Sequence, residues 1–226
     1  MNYIKSYCRI VMANAVLNGQ TLFESDGRTY TMHEFLSVLY ERLGTDYRKF
    51  YKMDALSKLG FLASEMALAG IDRETPKEDM GVAFFNTSAS LEADEKYQQT
   101  IRHKDDFFPS PADFVYTLPN IVTGEIAIRN KIYGETSFYV IHRFLSDIIC
   151  ETVNNMITFG GMKRVLAGWT EVNMFTGAFN CLVMLCEAGG ISGAGTPDSR
   201  TIVAGAVEAN SLTIPLADGE LEKLYM

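Results

Sequence analysis

The sequence lacks the features that mark nucleic-acid-binding and membrane proteins. Its 226 residues carry a formal net charge of −8 and no cluster of Lys and Arg, whereas a protein that binds nucleic-acid phosphates needs a basic face. No run approaches the roughly 18 apolar residues of a transmembrane helix. The N-terminal segment also lacks the continuous apolar stretch of a signal peptide. We therefore predict a cytoplasmic protein that binds neither nucleic acid nor a membrane.

Cysteine and histidine are scarce and scattered. None of them forms the C-x-x-C or His-pair spacing of a zinc site, and the Gly-rich residues 189–195 lack the lysine of a phosphate-binding loop. We expect no metal and no cofactor. Because free cysteine is among the most buried residue types, we predict that all four cysteines are small core side chains. The residues concerned are Cys8, Cys150, Cys181, Cys186, His33, His103 and His142.

Strand-like and helix-like patterns alternate along the chain. Apolar residues have helical spacing in segments 31–43 (opening at Thr29 or Thr31), 53–70, 121–132 and 144–158. Short apolar runs typical of strands lie at 3–11, 80–86, 137–141, 164–169, 178–187 and 201–209. This alternation indicates βαβ units, so we predict one α/β domain over residues 1–226, with a polar surface tail at 218–226.

The stretch from Gly134 to Val172 has the pattern strand, helix, strand, and its first junction holds His142 and Arg143. Many α/β enzymes carry a nucleophile at such a junction, because side chains there lie at the end of the sheet and near a helix N-terminus. Here a permanent cation occupies the place. The structural interpretation is that Arg143 forms an ion pair with Asp147 or an interface contact. The alternative is that Arg143 faces a bound ligand. His142 by itself is more consistent with a packed side chain than with a catalytic one.

Several segments, in order, resemble the N-terminal half of a β-ketoacyl synthase, a condensing enzyme of the thiolase fold. Residues 49–71, with the opening Asp-x-x-Ser-Lys-Leu, resemble that family's first core helix. The resemblance continues through GVAFFNTSASLEADEKY, PSPADFVYTLPNIVTGEIAIRNKIYGE and GGMKRVLAGWTE, in which Trp169 replaces a glycine of the family's Gly-Gly-Thr-Glu signature, and it covers about Phe50 to Glu187. It implies a thiolase-like half: a mixed, mostly parallel five-stranded sheet with helices on both faces.

The resemblance places Arg143 where the family carries its nucleophilic cysteine. Counting forward from Gly134 and back from Thr170 gives the same position. A guanidinium stays protonated and offers no lone pair, so it cannot form an acyl thioester. The family's two catalytic histidines belong to its C-terminal half, and His33 and His103 both precede the nucleophile position, so we expect nothing to replace them. We therefore assign no catalytic residue.

The resemblance also implies an acyl channel and a dimer interface near a proline-punctuated segment and the strand before the nucleophile position. We favour a non-catalytic, chain-length-factor-like subunit of a type II fatty-acid or polyketide-like system. Its partner would be an intact ketosynthase or a second copy of the chain, with an acyl carrier protein as a further contact. The alternatives are an acyltransferase with altered chemistry and a plain dimerisation module. Candidate channel or interface residues are Phe108, Phe114, Tyr116, Leu118, Asn120, Phe138 and Val140.

Overall fold

The structure is a computed structural model that describes residues 1–25, 27–189 and 213–226. The strands are β1 (Tyr3–Val11), β2 (Asn14–Leu17), β3 (Gln20–Phe23), β4 (Met80–Asn86), β5 (Thr136–Val140), β6 (Arg164–Val172), β7 (Phe179–Glu187) and β8 (Ile214–Pro215). The helices are α1 (Met32–Leu43), α2 (Ala55–Ala67), α3 (Leu91–Gln99), α4 (Pro111–Val115), α5 (Ile121–Asn130), α6 (Ser146–Thr158) and α7 (Asp218–Tyr225). The strand predicted at 201–209 and most of the Gly-rich loop lie outside the described residues.

All eight strands form one mixed sheet in the order β3-β2-β1-β7-β6-β4-β5, with β8 added to β1. The mixed sheet of the prediction is confirmed, but its strand count and its mostly parallel character are not. Within the described residues only β4–β5 and β4–β6 are parallel pairs. The antiparallel pairs are β6–β7, which a short turn joins, β1–β7, β1–β8, β1–β2 and β2–β3. The prediction missed β2 and β3, which form a hairpin.

The β2–β3 hairpin had a clear local signal. Its two-residue loop is Asn18-Gly19, and both residues have positive φ, 50° and 81°. This is the conformation of a type I′ turn, for which Asn-Gly is the preferred sequence because glycine and asparagine tolerate the left-handed region. Strands β5, β4, β6, β7 and β1, which are consecutive in the sheet, correspond to five of the six predicted runs.

Helices cover both faces of the sheet, as predicted. One hydrophobic core lies between the sheet and α1, α2 and α5, and the second lies between the sheet and α6 and α7. Helix α2 is buried at every position except Lys58. It approaches α5 closely, since a Cβ on Gly60 would lie 2.7 Å from the Val122 side chain. The capping box of Thr31 and Glu34 starts α1 at one of the two predicted residues.

The tail differs from the prediction. Instead of a polar surface segment, residues 218–225 form α7, in which Leu221 is fully buried against the second core. The Tyr225 ring stacks on the Phe144 ring with 3.8 Å between centroids. Leu221, Leu224 and Tyr225 pack against the second core. These three apolar residues are enough to stabilise a two-turn helix, because tertiary packing contributes more than helix propensity.

Candidate functional site

The junction between β5 and α6 is open to solvent at the two residues that the sequence singled out. Ile141 still donates its N–H to the carbonyl of Asn86 over 2.8 Å, which continues the β5 ladder by one residue. His142 and Arg143 follow in a bend, and both are exposed. The predicted ion pair of Arg143 with Asp147 is not formed, and no carboxylate of the described residues lies within 4.0 Å of the guanidinium. Arg143 is therefore an exposed cation at the carboxyl end of β5.

Helix α7 holds the inner side of this junction. The Phe144 ring stacks on the ring of Tyr225, and both rings meet the Trp169 ring edge to face, with centroid distances of 5.5 Å and 6.2 Å. Helix α6 has no side-chain cap at Leu145, but the hydroxyl of its first residue, Ser146, donates to Glu222 over 3.2 Å. A carboxylate near a helix N-terminus is favourable. The resemblance expects a thiolate near the N-terminus of α6. In this structure the carboxylate of Glu222, from α7, lies at that N-terminus.

The four cysteines of the protein lie in its interior. All four are buried, as predicted. Burial raises the pKa of Cys150 to about 12, with Asp218 contributing, and burial raises the pKa of Cys181 to about 12. Burial also raises the pKa values of Cys8 and Cys186 well above the ordinary range. Because the thiolate is the reactive form, burial and the raised pKa values disfavour reaction at all four.

Glu171, the last residue of the Gly-Trp-Thr-Glu segment, has a structural task. Its carboxylate accepts the N–H of Thr87 over 2.7 Å and also accepts the hydroxyl of Ser88. The same loop is closed by Asn86, whose side chain bonds both the N–H and the carbonyl of Ala89. These bonds hold the segment after β4 beside the end of β6. The sequence resemblance contained Glu171 but gave no role to it.

The candidate channel and interface residues lie in two settings. Phe108, Phe114, Leu118 and Val140 are 76%, 51%, 50% and 54% exposed, and Asn120 is exposed as well. Tyr116 and Phe138 are half-buried and pack against the α1, α2 and α5 core. Their assignment to a channel or an interface remains a prediction.

A cleft of about 270 Å³ adjoins Tyr116 at the N-terminal end of α2. Its walls carry more charge than an apolar acyl chain would favour, since they include Asp54, Lys58 and Glu92. Burial raises the pKa values of Asp54 and Glu92 and lowers the pKa of Lys58. The other six candidate channel residues do not line this cleft. This cleft is therefore not the apolar channel that the resemblance implies.

The exposed apolar side chains concentrate in one part of the chain. Ten of the seventeen large exposed apolar side chains that the structure describes fall within residues 107–148. Strand β5 lies in this segment at the edge of the sheet, with β4 as its one described neighbour. Ile141 donates to β4 and Glu135 accepts from it, so by strand alternation the backbone groups of Phe138 and Val140 point away from β4. An unpaired edge of this kind is a template for a further strand.

The described part of the chain contains neither a candidate metal site nor a candidate membrane-spanning helix. Residues 1–25, 27–189 and 213–226 contain no group of three His, Cys, Asp or Glu side chains that could hold a metal ion. Among these residues there is also no helix of the length and hydropathy needed to cross a membrane.

Comparison with known proteins identifies the fold. No family model matches the sequence, and no curated protein sequence matches it either. Solved structures do match: the ishigamide ketosynthase/chain length factor has a TM-score of 0.63 at 16% identity, over 87% of this chain and 64% of that one. A ketosynthase in complex with its chain length factor from Xenorhabdus doucetiae has a TM-score of 0.54 at 14% identity, over 84% of this chain and 80% of that one.

A β-ketoacyl synthase from Burkholderia phymatum STM815 gives a TM-score of 0.56 at 12% identity, over 82% of this chain and 58% of that one. The chain thus spans about two thirds or less of the length of the first and third of these structures. It has the thiolase-like fold of the ketosynthases and chain length factors, which confirms the fold that the sequence resemblance implied.

Proposed function

We propose that the chain is a non-catalytic, chain-length-factor-like subunit that pairs with an intact ketosynthase in a type II fatty-acid or polyketide-like system. The observation that carries the proposal is Arg143, an exposed guanidinium at the β5–α6 junction where the ketosynthase resemblance calls for a cysteine. With all four cysteines buried, the described residues offer no thiolate to accept an acyl group.

The open edge of β5 supports the pairing half of the proposal. Its outward backbone groups and the exposed apolar side chains of residues 107–148 need a cover in the working protein. One matched structure is a ketosynthase bound to its chain length factor, and the matched lengths, 84% of this chain and 80% of that one, are comparable. By analogy we expect β5 to pair with the corresponding strand of a ketosynthase.

The experiment is co-expression with an intact ketosynthase, followed by size-exclusion chromatography with light scattering. We expect a one-to-one complex. Val140→Pro should abolish it, because proline removes an N–H that points away from β4 and adds none to replace it. Val140→Ala is the matched control, since it shortens the side chain but keeps the N–H. A monodisperse monomer that ignores the ketosynthase would contradict the proposal.

Mass measurement of the intact protein with acyl-carrier thioesters tests the non-catalytic half. We expect no stable adduct, and an acyl group on any cysteine would contradict this half while leaving the pairing intact. We further propose that the chain contacts an acyl carrier protein, which a pull-down would test. We also propose a cytoplasmic location, tested by cell fractionation, and a single domain over residues 1–226, tested by limited proteolysis.

A plain dimerisation module is the second candidate, and the charged cleft beside Tyr116 favours it. A subunit that shapes an acyl chain needs apolar walls, and Asp54, Lys58 and Glu92 do not supply them in that cleft. The two candidates separate in one measurement. If the complex with the ketosynthase forms but the product chain length is unchanged by Phe114→Trp and Leu118→Trp, the dimerisation module is the better description.

A further inference from the structure

A second cleft, of about 580 Å³, lies between the C-terminal ends of α1 and α2 and the last turn of α5. This volume is within the ~300–1,000 Å³ of small-molecule sites in proteins. Its lining includes both apolar and charged side chains. The apolar wall includes Leu43, Met66, Leu68, Ala69 and Ile71.

The charged wall consists of three side chains. Glu65 is only 5% exposed and comes from the inner part of α2. Its Oε2 lies 3.1 Å from Nη2 of Arg73 and 3.6 Å from Nη2 of Arg129. The Arg129 guanidinium also lies over the Tyr47 ring, with 5.3 Å to the centroid. The three charged groups sum to one positive charge, and the exposed Asp46 lines the same cleft.

The cluster has more hydrogen-bond donors than it can use. Two guanidinium groups carry about ten N–H bonds, whereas one carboxylate has about four acceptor positions. Among the described residues the Nε of Arg129 is buried without an acceptor, and the Glu65 oxygens have short N···O distances but no well-aligned hydrogen bond. A buried N–H that lacks an acceptor costs about 1–3 kcal/mol. That Nε is enclosed, so an external acceptor would instead meet the outer N–H groups of the two arginines, whose side chains are 34% and 21% exposed.

The charge and the walls define that acceptor. A single negative charge would balance the cluster, and an apolar body would cover the aliphatic wall. A doubly charged phosphate is less suitable because Asp46 lies at the same cleft and the helices α1 and α2 direct their negative C-terminal ends toward it. We propose that this cleft binds a small apolar molecule with one carboxylate, which Arg73 and Arg129 hold. The proposal does not depend on the proposed function.

Octanoate is the probe, titrated into the full chain by isothermal calorimetry, with octylammonium and octanol as controls for charge and for apolar body. We expect saturable binding of octanoate, weaker binding of octanol and none of octylammonium. Arg129→Gln and Arg73→Gln should each weaken octanoate binding about tenfold or more, because each removes a charge-assisted hydrogen bond. Arg102→Gln is the matched control, since Arg102 pairs with Glu95 on the surface.

Two further variants keep the test decisive if the arginine variants fold poorly. Glu65→Gln removes the competing carboxylate, so octanoate should bind up to about tenfold more tightly. Ala69→Phe should fill the cleft and abolish binding while leaving the charges in place. Absence of saturable octanoate binding at about 1 mM, equal binding of octylammonium, or unchanged affinity in Glu65→Gln and Ala69→Phe would each overturn the proposal and leave a purely structural ion cluster.

Discussion

Strands β4 and β5 are parallel neighbours with similarly apolar sequences, MGVAFFN and TSFYV, yet they differ completely in burial. All seven residues of β4 are buried, and none of the five residues of β5 is. The physical reason is their position, because β4 has strands on both sides and β5, among the described residues, is paired on one side only. Burial of a strand is set by its neighbours, and an apolar strand without a second neighbour is therefore a site for a partner.

We expect the largest effect on stability from Phe84→Ala on β4. The Phe84 ring is fully buried and lies across Gly168 of β6, where an added Cβ would be 2.5 Å from the ring. We expect a loss of about 3–5 kcal/mol in the free energy of unfolding, from lost transfer energy and the cavity that remains. Urea unfolding monitored by circular dichroism measures it. A loss below about 1 kcal/mol would mean that β4 is not the centre of the core.

Proline substitutions in β5 separate its two backbone edges. Tyr139 has its N–H toward β4, as the alternation from Ile141 requires, so Tyr139→Pro should destabilise the isolated chain by about 1–3 kcal/mol. Val140→Pro, one residue on, should cost the isolated chain about 0.5 kcal/mol or less, because its N–H points away from β4 and has no strand partner among the described residues. The pair is measured by urea unfolding without the ketosynthase. Equal losses would show that the outer edge is already paired within this chain.

The dependence of stability on pH tests whether Cys181, on the interior strand β7, is buried. Cys181 on β7 has its pKa raised by burial to about 12 from 9.0. The unfolded thiol ionises from about pH 9 while the folded one stays protonated, so its contribution is complete below pH 9 and is lost as pH rises toward 12. The loss is about 1.4 kcal/mol per pH unit for one thiol. Because other groups titrate in this range, the measurement is the difference in slope between the wild type and Cys181→Ala. Identical slopes would contradict the burial of this thiol.

The smallest effect is expected from Phe108→Ser. This side chain is 76% exposed, so the isolated chain should change by about 0.5 kcal/mol or less. If Phe108 belongs to the proposed interface, the same variant should weaken the complex with the ketosynthase in a light-scattering titration. A large loss of stability in the isolated chain would place Phe108 in the core and remove it from the interface.

The elements with strong local signals were predictable to within a few residues. Strand β4 has the predicted bounds 80–86, and α1 starts after a Thr31 that forms a capping box. Helix α6 starts at Ser146, two residues later than predicted, because Phe144 turns inward to stack on Tyr225. That contact joins residues far apart in the chain, so no local pattern contains it. The helix α7 was missed for the same reason.

The candidate site divides in the same way. That a permanent cation stands at the β5–α6 junction, and that four cysteines are core residues, follows from residue type and local pattern. Whether Arg143 has a partner, which edge of β5 is open, and whether Glu65, Arg73 and Arg129 meet at one cleft depend on which distant elements come together. Residue chemistry and local periodicity are properties of the chain itself, whereas burial and charge pairing arise only from packing between elements far apart in sequence.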